Sequence, residues 1–453
     1  MKILLIGTWG NPGGWREVVY RVPRPPENPK KFSRLINWDF QNRLECRCSA
    51  STAALSRALE EAKYKVKVLL IGVDTVTGGE GNTYPEIVEG VKTYYMKYAM
   101  EFFDYEPELL ILPGVGRFGK RFRGAPGNGL PLLVLRLLEL FEQEDFDSIV
   151  LDLSHGINFM PVLVSEEVER VFSFLSALSP GGLSLIRFNS DPVIRDVKEA
   201  FINIIGIRRR SMEPWILLQE TGRISKNHVY RLMTRKTSKW TQNKLNELQE
   251  TFNTALEKIQ REAALMSYGL VLPLLKIHDA RCLLELQKSM KELLRDLILH
   301  REVSDELVSH DFVLDHRAID DVLLSLWLLT RTLPKEAKSE VSVDELREIA
   351  ESRLRLGPLQ LTLMNREISK IKEAIKGKTE GEWSYWELLG YEPEDFGDME
   401  VKVRNFIAHA GYDAHLLRIT KKRDGIFVKY DESSKDYIMK IIKNIYSKWI
   451  KAS

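Results

Sequence analysis

Short apolar runs that stop at glycine, proline or a polar residue alternate with helical patterns through the first two hundred or so residues. The runs Lys2–Gly7, Val66–Gly72, Leu109–Leu112, Ser148–Leu153 and Leu183–Phe188 are rich in Ile, Leu and Val and predict strands. Between them, Ser51–Ala62, Tyr84–Phe103, Pro131–Gln143 and Met160–Leu178 carry helical periodicity. Strands alternating with helices predict a parallel sheet of crossover units, and continuous apolar runs predict that both sheet faces are covered. After about Ile207 the strand-like runs give way to long helical patterns, as in Thr241–Leu265, Ala280–His300 and Leu359–Ile375. One hairpin is expected late in the chain, Leu417–Lys421 and Ile426–Tyr430 around Arg423-Asp424-Gly425, before a final helix near Lys435–Ile450. The predicted fold class is α/β plus all-α. A Rossmann-like parallel-sheet domain occupies 1–207, a basic helical connector 208–335, and a helical domain with a short β-hairpin 336–453.

Composition bounds partners more than fold. The 66 Lys and Arg against 64 Asp and Glu leave a net charge of +2 over 453 residues, so any nucleic-acid surface must be local. Such a patch exists at 208–244, where ten Lys or Arg face only Glu213 and Glu220. Within it Thr221–Leu232 reads as a small helix-turn-helix piece, and Lys226, Arg231, Arg235 and Lys236 are its candidate RNA contacts. The plainer reading is a solvated helical connector with its lysines outward. Three cysteines, Cys46, Cys48 and Cys282, make neither a disulfide framework nor a CxxC pair, and with poorly placed histidines they predict no metal site. The first apolar run stops at Gly7, and the uncharged apolar stretch Ala264–Leu275 is too short to span a bilayer and contains Pro273. A cytoplasmic protein without membrane contact is expected.

In an open parallel sheet, ligands bind beyond the carboxyl ends of the strands. The first strand runs into Gly7-Thr8-Trp9-Gly10-Asn11-Pro12-Gly13-Gly14, whose spacing is not GxGxxG and argues against dinucleotide binding. The third leads to Pro113–Gly124, a basic loop expected to be mobile, with Arg117 and three further cations. The fourth ends in Asp152-Leu153-Ser154-His155-Gly156-Ile157-Asn158 just before a helix, so Ser154, Asn158 and the helix amides would make a polar cradle for phosphate or ribose. Asp152 and Ser154 serve equally well as helix caps. Together these loops point to a polyphosphate or oligonucleotide ligand.

The Asp152–Asn158 run resembles that of CRISPR-associated Rossmann-fold (CARF) domains, which sense cyclic oligoadenylates made by type III CRISPR complexes. The resemblance covers roughly residues 1–207. It implies that Gly7, Thr8 and Trp9, with Ser154, His155, Gly156 and Asn158, line a nucleotide pocket formed across a two-fold dimer axis.

A second constellation lies near the C-terminus. Glu400–Gly411 reads as a helix that ends at Gly411, with Val403, Phe406, Ile407 and Ala410 as its inward stripe. Asn405 and His409 share a face, whereas Arg404 and His409 are about 140° apart on an ideal helix. They converge only through the long arginine, a bend at the helix end, or a second subunit. RNA cleavage without metal needs a base for the 2′-hydroxyl, an acid for the 5′-oxygen and positive charge on the phosphate. Histidine and arginine supply these. Spacing alone is weak: with 33 Arg and 8 His, about 0.6 Arg-x4-His pairs arise by chance. The chain holds three: Arg223…His228, Arg295…His300 and Arg404…His409.

Context favours the last. Arg404-Asn405…His409-Ala410-Gly411 resembles the catalytic motif of HEPN ribonucleases, in which a polar residue follows the arginine and two copies face each other in a dimer. Carried over, Arg404 and His409 are catalytic and Asn405 orients one of them. The whole chain then resembles the CARF–HEPN ancillary ribonucleases of type III CRISPR systems, the CRISPR-associated Csx family. That resemblance implies a metal-independent, cofactor-free endoribonuclease in antiviral defence. It would cut single-stranded RNA to 2′,3′-cyclic phosphate and 5′-hydroxyl ends. The implied allosteric activator is a cyclic oligoadenylate, the tetramer foremost, and the assembly a homodimer or higher even oligomer. The sensor itself could also degrade that activator, with Thr8, Trp9 or Ser154 orienting the 2′-hydroxyl. The competing expectation is a ligand-responsive DNA-binding transcription regulator of CRISPR loci that reads DNA with 221–235.

Overall fold

The computed structural model describes the chain except residues 157–158, 180–181, 195, 210–211, 228, 235–236, 337, 339, 393–397 and 453. It divides into two compact units, one of residues 1–211, 228–249 and 291–320, the other of 212–227, 250–290 and 321–453. The stretch expected as one connector, 208–335, is therefore shared between them.

The first unit is built on an eight-stranded sheet. Its parallel core has the spatial order Glu108–Leu112, Lys65–Val73, Lys2–Trp9, Ser148–His155, Ser184–Ser190. These are the five expected strands, each reaching a residue or two further at one or both ends, with the last starting one residue later than expected. The apolar runs form strands because both faces are covered: Ile3, Leu4, Leu5 and Ile6 are all fully buried. The helices Ser51–Glu61, Tyr84–Phe102, Leu130–Gln143 and Met160–Ala177 lie where the periodicity placed them. Strand order reverses between Lys2–Trp9 and Ser148–His155, which creates a crevice at their carboxyl ends.

Three further strands extend the sheet beyond expectation. Glu199–Arg209 runs antiparallel to Ser184–Ser190 and also pairs with the hairpin Val18–Arg24 and Asp39–Cys48. The basic loop at 113–124 is also corrected. Gly116–Phe118 and Lys120–Arg123 form a tight antiparallel ribbon, turned at Gly119 (φ +81°), and Lys120–Arg123 pairs in parallel with Leu307–Ser309. A buried ion pair, Arg301 to Asp74 at 2.6 Å, ties that region to the sheet edge. The helix-turn-helix expectation is not met either. The helix Pro214–Gly222 stops, and Tyr230–Leu232 is a strand paired with Phe312–Leu314. Val229 N–H donates to Gln249 Oε1 (2.8 Å) and the Tyr230 hydroxyl to Asn246 Oδ1 (2.7 Å), which hold the segment extended.

The second unit is helical around a four-stranded antiparallel sheet, in the order Val341–Ser342, Gly425–Tyr430, Leu417–Lys422, Gly381–Ser384. Its central pair is the expected hairpin. Ile438, Ile441, Ile442, Ile445 and Trp449 of the last helix, Lys435–Ala452, fill the core. Gly222 fits against Trp449, where a Cβ would come within 2.7 Å of the indole. Among the described residues no helix is long and apolar enough to cross a membrane. Cys46 and Cys48 are buried free thiols, and burial raises the pKa of both, which makes them poor nucleophiles.

Candidate active site and ligand cavity

The helix Met399–Ala408 starts at Asp398, whose carboxylate accepts from Glu400 N–H, and buries Val403 and Phe406. It ends one residue before His409, which has left helical geometry (φ −100°, ψ 19°). Ala410 N–H donates to Ile407 O and Gly411 N–H to Phe406 O, the paired bonds of a Schellman turn. Ala410 takes the left-handed position (φ +50°) usually given to glycine, and Gly411 follows at +83°. A Cβ on Gly411 would meet Pro273 at 2.8 Å. The bend needed to swing His409 out of helical register is thus real, and it begins one residue earlier than the sequence suggested.

His409 does not stand alone. Its Nδ1 lies 3.3 Å from Oε1 of Glu367, a carboxylate whose side chain is only 2% exposed while the imidazole is 44% exposed. Glu367 is held in turn by Arg366 Nε and Lys370 Nζ, each at 3.0 Å. Arg366 also donates to the carbonyl of Ala408, tying Pro358–Ala374 to the end of the motif helix. A carboxylate at Nδ1 fixes the ring and leaves Nε2 on the exposed side for proton transfer. Asn405 is half-buried and its carbonyl accepts from His409 N–H at 2.9 Å. Arg404 is exposed and, among the described residues, carries no hydrogen bond or ion pair, so its guanidinium is available to phosphate. Burial first, and then the Glu367 charge, raise the pKa of the neighbouring Tyr385 and Tyr412 phenols.

The other two Arg-x4-His matches have different surroundings. Arg295 is bound to Glu139 at 2.6 Å, and His300 stacks on Trp240 with ring centres 4.3 Å apart. His228 lies outside the described residues, as do Asn158, Arg235 and Lys236. Lys226 is paired with Glu257 at 3.0 Å, and Arg231 is exposed on its short strand.

In the first unit a cavity of about 650 Å³ opens at the sheet's carboxyl edge, lined by residues 14–16, 153–155 and 189–194. Gly10 N–H donates to His155 O at 2.6 Å, joining the two strands whose order reverses there. Ser154 and His155 line the wall. The His155 ring stacks on Trp15 at 4.2 Å and meets the Tyr20 hydroxyl at 2.9 Å. Burial lowers its pKa against the opposing pull of Asp152, which favours a neutral imidazole.

Asn158 aside, which lies outside the described residues, the remaining expected pocket residues do not line this cavity. Thr8, Trp9 and Asp152 are about 1% exposed. Trp9 donates its indole N–H to Thr52 and packs against Trp15, Phe102 and Phe103. Asp152 accepts from the Ser51 and Thr52 hydroxyls at 2.6 Å each and from Ser154. It therefore bonds the hydroxyls at the start of the helix Ser51–Glu61. Gly7 permits that junction, since a Cβ there would sit 2.5 Å from Thr52 Oγ1. Gly10 is buried too, and Gly156 packs so closely that a Cβ would lie 2.0 Å from Pro161. Arg117 lies exposed on the separate ribbon. With Thr8 and Trp9 buried, neither reaches a ligand hydroxyl from where it stands.

Three features escaped the sequence reading. Trp15 follows Gly13-Gly14, and Asn189–Asp191 ends the fifth core strand, so the strand-end rule would have reached both. Glu367 had one signal: an acid on the buried face of a helix whose other inward positions are Met364, Ile368 and Ile371.

Residues 4–192 match the family described as CRISPR system endoribonuclease Csx1, CARF domain, and residues 358–432 its HEPN domain. The chain is 23% identical over 440 residues to the CRISPR system endoribonuclease Csx1 of Methanocaldococcus jannaschii, covering 92% of this chain and 87% of that protein. The cavity falls on the first matched region, and Glu367, Arg404 and His409 on the second. Matched in both regions, and aligned with that relative over nearly its whole length, the chain belongs to the CARF–HEPN ribonucleases of CRISPR systems.

Proposed function

We propose that the protein cleaves single-stranded RNA without metal at Arg404 and His409, and that a cyclic oligoadenylate, with the tetramer foremost, switches this activity on from the cavity in the first unit. The observation that carries the first part is the buried Glu367 beside Nδ1 of a half-exposed His409, with an exposed arginine upstream on the same helix. An imidazole takes the proton of the 2′-hydroxyl as that oxygen attacks the adjacent phosphorus. Arg404 offsets charge on the phosphate oxygens, and an imidazolium returns a proton to the departing 5′-oxygen. The chain leaves a 2′,3′-cyclic phosphate and a 5′-hydroxyl. Two histidines, one base and one acid, are supplied when two copies of the chain face each other. The activator reading is supported by the Trp15–His155 stacked pair, an aromatic surface suited to purines, in a cavity large enough for nucleotides.

The test is cleavage of single-stranded RNA in EDTA, with and without cyclic tetra-adenylate, followed by analysis of product ends. Stimulated cleavage giving cyclic phosphate ends is expected. His409→Ala should abolish it and His300→Ala should not. Cleavage that needs added metal, or that survives His409→Ala, overturns the reading.

A further inference from the structure

A second cavity, of about 890 Å³, opens in the C-terminal unit between the helices Lys239–Ser267 and Lys435–Ala452 and the segment 276–281. Its walls fall outside both matched regions. Eight Lys or Arg line it against four Asp or Glu. Among the described residues Lys258, Lys335, Lys440 and Lys443 hold no ion pair, so their charge is available to a ligand. Met439, Ile442 and Tyr446 supply an apolar wall on one helix face, and Met439 is 44% exposed.

One lining residue marks this as more than a charged groove. His278 is 3% exposed, and its Nδ1 lies 3.1 Å from the buried carboxylate of Glu262. Its Nε2 is buried without a hydrogen-bond partner among the described residues. A neutral imidazole that donates from Nδ1 to Glu262 presents Nε2 as an acceptor. Leaving such an atom unpaired is unfavourable, so a ligand donor there is favoured. The combination of cations, an apolar wall and one buried acceptor matches phosphate, base, and a ribose hydroxyl or base amino group.

We propose that this cavity binds a nucleoside phosphate, with its phosphate on the lysines, its base against Met439, Ile442 and Tyr446, and a hydroxyl or amino group donating to His278 Nε2. A free mononucleotide and a nucleotide within single-stranded RNA present the same chemistry. The site takes no part in the cleavage steps above and stands or falls separately from them.

Photoaffinity labelling of the full chain tests it. The probes are 8-azidoadenosine 5′-monophosphate and an RNA carrying one 8-azidoadenosine, with labelled peptides mapped after digestion. Label is expected within 276–281 or 435–446, displaced by adenosine monophosphate and not by adenosine. Lys440 and Lys443 are exposed, so the double variant Lys440→Glu, Lys443→Glu leaves the core untouched. It should lower labelling there about tenfold while labelling of the 650 Å³ cavity in the first unit is unchanged. Labelling by the RNA alone makes the cavity a strand subsite, and labelling by the mononucleotide alone makes it a small-molecule site; both uphold the proposal. No label at these peptides from either probe, equal displacement by adenosine, or labelling indifferent to the double variant overturns it.

Discussion

Glu367 carries a burden that its neighbours in sequence do not reveal. Removing a carboxylate from the core usually stabilises, because an isolated buried charge is expensive. Here the charge is held by Arg366, Lys370 and His409, so it is retained where it can orient the imidazole. Glu367→Gln keeps the shape and removes the charge. It should lower kcat about tenfold or more while KM for RNA changes little, because Arg404, the group proposed to face the phosphate, is untouched. Glu367→Asp should recover part of the loss. Steady-state kinetics alongside a melting temperature separate positioning from simple loss of fold. Equal kcat in wild type and Glu367→Gln would remove the carboxylate from the mechanism.

At the scale of elements, buried histidines give the first unit a pH dependence with a definite sign. Burial lowers the pKa of His310, and the Arg301 and His300 charges push the same way, while the carbonyl of Ile298, 2.9 Å from Nε2, favours the proton. His155 is lowered by burial with Asp152 opposing. Between these folded values and the ordinary 6.5, the unfolded chain binds more protons than the folded one. Their stabilisation is therefore complete above about pH 6.5 and is lost as pH falls below it. Carboxylates such as Asp431, held at about 2 by Ser433 and Arg418, act only in more acid solution. The melting temperature should fall between about pH 7 and about pH 5, and His310→Gln should flatten the slope. A flat profile in the wild type would show that these rings are not the titrating groups. The five core strands and four flanking helices were legible because each strand is a run of apolar residues closed by a breaker. Lys120–Arg123 and Leu307–Ser309 were not, being four and three residues long and paired across distant sequence. Val18–Arg24 hid behind Pro23, which sits at a register shift in the pairing. Asp39–Cys48 is mostly polar. In the candidate active site Arg404 and His409 were legible as a motif, but Glu367 lies on another helix and only folding brings it near.

For the whole molecule, the open quantity is how many chains make one proposed active site. Arg404 is exposed, and His409 turns out of the helix that carries it, so each chain offers one guanidinium and one imidazole to solvent. Cleavage needs a base and an acid at one phosphate, which a single histidine supplies only by moving the proton across the reaction. Two chains related by a two-fold axis provide both at once, since an isologous contact brings the same patch from each. The proposed activation from the first unit would then require the ligand to prefer the assembly or conformation in which the patches meet; a tenfold stimulation needs about 1.4 kcal/mol of such preference. Subunit mixing decides whether both copies are needed. Wild-type chains are mixed with chains carrying both Arg404→Ala and His409→Ala, and hybrid dimers are counted by native mass spectrometry. If one site takes a histidine from each chain, hybrids are silent and cleavage of single-stranded RNA falls with the fraction of wild-type homodimers. If one chain is sufficient, hybrids keep a working site and cleavage falls only with the fraction of wild-type chains, which overturns the shared site.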